Sequence, residues 1–154
     1  MASSTLQVMD LTSLKAVLAD LSGQILPSRF EKAQQPDPHS LQLGFRTLKG
    51  MIWLELSWQA EAARLVQIRP PKRTGSGSTL AQQVQHGLRQ LALVGLQQQG
   101  FERVVQFQFA PRPGEAAVRT LVLELMGRHS NCLMLDEQKR CLLYTSDAAD
   151  DLYR

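Results

Sequence analysis

Leu11, Leu14, Val17, Leu18 and Leu21 recur at the spacing of one helical face. Asp10 stands just ahead of that face and suits an N-cap, because its carboxylate can accept from the free amides of the first turn. Gly23 suits the left-handed position after a last turn. The period then changes. Leu41, Leu43 and Phe45 alternate with Gln42, Gly44 and Arg46, and Ile52, Leu54 and Leu56 alternate with Trp53, Glu55 and Ser57. With a turn at Lys49-Gly50, this pattern predicts a hairpin that buries one face. Arg64–Ile68 reads as a third short strand extending the sheet.

The stretch RPPKRTGSGS, residues 69–78, combines prolines, glycines and basic groups and is expected to be an exposed cationic loop. Thr79 with Gln82 fits a capping box for a second helix, whose face is Leu80, Val84, Leu88 and Leu91. Gly87 inside it should cost about 1 kcal/mol relative to alanine. Leu91–Leu96, Arg103–Phe109, Val118–Met126 and Cys132–Leu135 then read as strands, with the turn PRPGEA between two of them. The expected fold class is α+β, with two helices against a largely antiparallel sheet or flattened sandwich.

Charge changes this picture at one end. The chain has 17 basic and 14 acidic side chains, a formal net charge of +3. The tail CLLYTSDAADDLYR holds both tyrosines and the acidic trio Asp147, Asp150 and Asp151, and its opening resembles a translated sequencing adapter. Residues 141–154 are therefore set aside from the fold reasoning. Without those three aspartates and Arg154, residues 1–140 carry 16 basic and 11 acidic groups, and they are expected to be an incomplete piece of a longer protein. No run of about 18 apolar residues is present. The start MASSTLQVMD lacks the basic and apolar segments of a secretory signal, so a cytoplasmic protein is expected.

Direct candidates for chemistry are few. His39, His86 and His129 fall in separate elements without ligand spacing, and Cys132 and Cys141 cannot build a zinc site unaided. GSGST at residues 75–79 lacks the lysine of a phosphate loop. His129 and Ser130 are adjacent, so on a strand they face opposite ways. Cys132 sits in an apolar run as a core thiol. No catalytic residue, metal site or cofactor is expected, and the protein is read as a non-enzyme. Arg64, Arg69, Lys72, Arg73, Arg103, Arg112, Arg119 and Arg128 are spread over the middle and end of the domain. Their forked donors suit phosphate oxygens, which would give salt-dependent binding of RNA or DNA; an ordinary solvated charge distribution is the alternative.

The segment VRTLVLELMGRHSNCLMLDEQ, residues 118–138, resembles the strand–turn–strand signature of the NFACT N-terminal domain, above all from Glu124 through Gly127, Arg128, His129, Ser130 and Asn131. Asp10, the strand pair near residues 52–57 with Arg64 after it, and GFERVVQFQF at residues 100–109 follow in the family's order. The family includes RqcH, NEMF and proteins called fibronectin-binding protein A. The resemblance implies a fold similar to the N-terminal domain of formamidopyrimidine-DNA glycosylases. It also implies a ribosome quality-control role: binding of a stalled large ribosomal subunit with its peptidyl-tRNA, and recruitment of tRNA (alanyl-tRNA in bacteria) for template-free tailing of the nascent chain. Family tRNA contacts come from an Asp-Arg pair and an aspartate on the first helix, positions held here by Glu102-Arg103 and Asp10. Arg64, Arg128, Ser130 and Asn131 belong to the family motif, as RNA contacts or as residues that hold turns.

Two other readings stay open. One is a fibronectin-binding surface adhesin, which the missing secretory signal disfavours. The other is a glycosylase-like nucleic-acid-binding domain without catalysis: those enzymes attack with an N-terminal proline amine, whereas Met1 is followed here by Ala2 and Ser3.

Overall fold

The computed structural model describes residues 9–73, 78–98, 100–126 and 130–145. Helix α1 spans Leu11–Ile25 and starts where the sequence places it, with the Ser13 amide donating to Asp10 Oδ1 at 2.7 Å. Its end differs from the expectation. The helix passes through Gly23 and stops at extended Leu26, because a residue before proline, here Pro27, is pushed out of the helical region. The added turn carries Ile25 into the core beside Leu14, Leu18 and Leu21. Helix α2 spans Thr79–Leu88, and its cap also shifts: Ser78, not Thr79, accepts from the Ala81 amide at 3.0 Å. Gly87 has a packing reason, since a Cβ there would lie 2.6 Å from Met134 Cε on the strand beneath.

The strands are β1 (Ser28–Gln34), β2 (Ser40–Thr47), β3 (Gly50–Ser57), β4 (Arg64–Ile68), β5 (Ala92–Gln98), β6 (Val104–Ala110), β7 (Arg119–Glu124), β8 (Asn131–Asp136) and β9 (Cys141–Tyr144). They form one antiparallel sheet in the order β4-β3-β2-β1-β5-β6-β7-β8-β9. This is the expected α+β class with two additions. Strand β9 falls at the start of the tail set aside from the sequence reading and pairs with β8. Strand β1 escapes the alternation test because a bulge between Phe30 and Lys32 puts its inward residues, Phe30 and Ala33, three positions apart.

The sheet is strongly curled. Strands β4 and β6 lie five steps apart in sheet order, about 24 Å if the sheet were flat. Yet Met9 touches both ends of that span: its amide donates to Ala63 O at 2.9 Å, and its carbonyl accepts from Arg103 Nη1 at 3.3 Å. The concave face closes over α1 and α2. At its centre Phe30 meets Phe45 and Phe109 edge-on, with centroids 6.1 and 6.4 Å apart, and Phe45 stacks on Phe109. All three are buried.

The opposite face carries a polar ladder across four strands. Gln34 donates to Gln42 at 2.8 Å, Gln42 to Glu55 at 2.9 Å, and Arg64 to Glu55 at 2.8 Å. Gln34 also donates to Lys72 O, which ties the start of the cationic loop to the sheet. Each group satisfies the next, as buried amides require.

Replacing Phe30 by alanine removes the ring shared by β2 and β6. Urea unfolding should show a loss of about 3–5 kcal/mol; a loss under 1 kcal/mol would mean the ring is not central.

Candidate nucleic-acid interface

The start of α1 and the strand ends around it gather most of the residues singled out by sequence. Asp10 is the N-cap, so its carboxylate is committed first to the helix. The Ser13 amide and then the Ser13 side chain hold its pKa below the ordinary carboxylate range, and the charge of Arg103 adds to the effect. Arg103 stands just before β6, with its carbonyl accepting from the Leu125 amide at 2.8 Å and its guanidinium turned to the Met9 carbonyl. No carboxylate lies within 4.0 Å of that guanidinium among the described residues. Among the described residues it therefore makes no close ion pair, and the nearby acid that feels its charge is Asp10.

Glu102 and Arg103 separate. Glu102 lines a small cavity of about 110 Å³ with Gln97, Val104 and Gln106, while Arg103 reaches to Met9. The Glu102 carbonyl accepts from Gln98 Nε2 at 2.8 Å, which closes the turn. The pair thus offers an acid and a base in two different directions. Arg64 is held twice, by Glu55 and by the Ala62 carbonyl at 2.9 Å, and acts as the end of the polar ladder. It reaches the same neighbourhood through Ala63, the partner of Met9.

On β8, Asn131 donates to Glu124 across from it on β7, and both sit next to the start of β6, where Val104 pairs with Glu124. Ser130 is buried and its hydroxyl has no hydrogen-bond partner among the described residues. Arg128 lies outside the described residues. Asn131 therefore ties β7 to β8.

Two residues join the site that the sequence reading did not select. Phe101 is 90% exposed at the tip of the β5–β6 turn, and Lys15 Nζ on α1 lies 6.0 Å from its ring centroid. Gly100, at φ 62°, turns the chain there. The signal was present in the sequence as an aromatic residue between a glycine and a charged pair. Nothing in the periodicity marks it as exposed.

The chain matches the family model for the NFACT N-terminal and middle domains over residues 10–145. It belongs to the NFACT N-terminal family. Among solved structures it is similar to the N-terminal domain of the fibronectin-binding protein PavA from Streptococcus pneumoniae, at TM-score 0.77 and 22% identity, covering 86% of this chain and 51% of that one. It is similar to the N-terminal part of a fibronectin/fibrinogen-binding protein from Streptococcus suis, at TM-score 0.77 and 20% identity, over 86% and 51%. A fibrinogen-binding protein from Staphylococcus aureus matches at TM-score 0.71 and 21% identity, over 86% and 48%. The chain spans about half the length of these structures. No curated protein matches. Among the described residues of this NFACT chain, no helix is long and apolar enough to cross a membrane, and no group of three or more His, Cys, Asp or Glu is placed to hold a metal.

Two expectations follow from the electrostatics. Because the pKa of Asp10 is lowered on folding, its contribution is present above the unfolded carboxylate range and fades as pH falls through the folded value. Asp10→Ala should lower the melting temperature at pH 7, with the gap to wild type closing in strong acid; a constant gap would show that the charge is irrelevant to the cap. Burial and then the charge of Glu124 push the Cys132 thiol up to about 12, while Cys141 is exposed. A thiol reagent at pH 8 should modify Cys141 alone in the folded chain, and Cys132 only after unfolding.

Proposed function

We propose that this NFACT domain is the tRNA-contacting part of a ribosome-associated quality-control factor. In this reading the whole protein binds a stalled large ribosomal subunit with its peptidyl-tRNA in the cytoplasm. It recruits tRNA, alanyl-tRNA in bacteria, for template-free tailing and performs no bond chemistry itself. The observation that carries the reading is the guanidinium of Arg103, held by a backbone carbonyl with no close ion pair among the described residues, beside the start of α1 and with exposed Phe101 two residues away. A cation without a close ion pair suits a backbone phosphate, and an exposed ring offers a face for an unpaired base. Asp10 supports the site by fixing the helix start against which Arg103 rests.

A second reading is favoured by the names of the solved relatives, which describe fibronectin and fibrinogen binding. A domain of this family would then act as an adhesin. The two readings separate cleanly. Filter binding of tRNA to the chain should be salt-sensitive, and Arg103→Ala should weaken it about tenfold or more, the scale of one charge-assisted hydrogen bond. Phe101→Ala should weaken it less and leave the salt slope unchanged. Undiminished tRNA binding by Arg103→Ala, together with saturable capture on immobilised fibronectin, would favour the adhesin.

A further inference from the structure

Three arginines are half-buried among the described residues: Arg64, Arg103 and Arg119. Arg64 is matched to Glu55, and Arg103 serves the site described above. Arg119 belongs to neither arrangement. It opens β7 on the same face as buried Leu121 and Leu123, so it points toward the helical layer at the rim of the core. Its cross-strand neighbour on β8 is Asp136, which looks like its counter-ion but is not. Asp136 is taken by Arg140, whose Nε lies at 3.0 Å and whose amide also donates to it. Arg119 Nη1 donates to the Val118 carbonyl at 2.7 Å, and Nε is buried with no hydrogen-bond partner among the described residues.

Arg119 lines a cavity of about 370 Å³ between α2 and the last strands. Thr79, Gln82, Gln83 and His86 supply a hydroxyl, two amides and an imidazole from the helix side, and Met134 and Leu142 form an apolar side. No carboxylate lines it. An arginine with an unsatisfied buried Nε, facing a cleft lined by donors and free of acids, matches the two-pronged geometry of an oxyanion. The apolar side leaves room for more than a bare ion, and the volume falls within the range of small-ligand sites, about 300–1,000 Å³.

We infer that the cleft between α2 and β7–β9 binds a phosphate monoester on a small, partly apolar carrier, of the size of a mononucleotide. Arg119 grips the phosphate and the α2 side chains contact the carrier. The site is separate from the Arg103 region: along β7, Arg119 pairs with Phe109 while Glu124 pairs with Val104, a separation of about 17 Å. It does not depend on the tRNA reading.

Calorimetric titration of the 154-residue chain with AMP, adenosine and inorganic phosphate tests this. AMP should bind saturably, inorganic phosphate more weakly, and adenosine without measurable heat. Arg119→Gln should weaken AMP about tenfold or more. Arg119→Lys keeps the charge but not the fork and should fall between; it also serves if the glutamine variant fails to fold. Arg103→Ala should bind AMP as wild type does, so loss of tRNA binding in that variant leaves this site intact. A short RNA competing with AMP only when 5′-phosphorylated would assign the phosphate to RNA ends; equal failure of both forms would assign it to free phosphoesters. Equal binding of AMP and adenosine, equal affinity in wild type and Arg119→Gln, or no AMP binding to wild type would overturn the proposal.

Discussion

The narrow seam between β1 and β5 holds the whole sheet together. Only Ser28 and Arg29 pair across it, with Leu93 and Ala92, supplemented by the Phe30 amide donating to Leu91 O at 3.0 Å. On one side lie β2, β3 and β4; on the other, β5 through β9. So few ladder bonds would make a weak join by themselves, each netting about 1 kcal/mol. The join is made firm by burial instead. Phe30 stands on the seam strand and packs edge-on against Phe45 from one half and Phe109 from the other, while those two rings stack on each other. Aromatic pairs of this geometry contribute about 0.5–1.5 kcal/mol beyond the area they bury.

The candidate interface depends on the same curl. Met9 can bond Ala63 and Arg103 together only because the two halves fold toward each other about the seam. Asp10 follows at once in the chain, so the helix cap is placed where the halves meet. Asn131 then fixes the β7–β8 end beside it through Glu124. A local sequence motif, a helix cap and two remote strand ends become one region through tertiary curvature and not through spacing.

This explains which parts were readable in advance. Both helices and strands β2, β3, β6 and β7 declare themselves because their inward positions keep period 3.6 or 2. Strand β1 does not, since its bulge spaces Phe30 from Ala33 like a helix. Helix α1 runs past Gly23 because glycine permits a left-handed end without imposing one, whereas Pro27 constrains Leu26 directly. For the site, residue identity was legible and direction was not. Glu102 and Arg103 are neighbours in sequence, yet their side chains serve different surroundings. Exposure of Phe101 depends on a turn whose shape no periodicity encodes.

What distinguishes the arginines of this protein is the partner each has found. Arg46, Arg64, Arg112 and Arg140 each lie against a carboxylate, and the pair of Arg64 with Glu55 is the one whose two side chains are both partly buried at short range. Arg103 and Arg119 are half-buried like Arg64, yet among the described residues each bonds a backbone carbonyl and no carboxylate. A carbonyl orients a guanidinium without cancelling its charge. Partial burial raises the value of any anion that reaches it, because the surrounding medium screens less than water. Counting basic residues along the chain could not separate these two from the rest, since all carry the same formal charge. The separation comes from where Glu55 and Asp136 point: the first answers Arg64, and the second is drawn to Arg140 and leaves Arg119 without a counter-ion among the described residues.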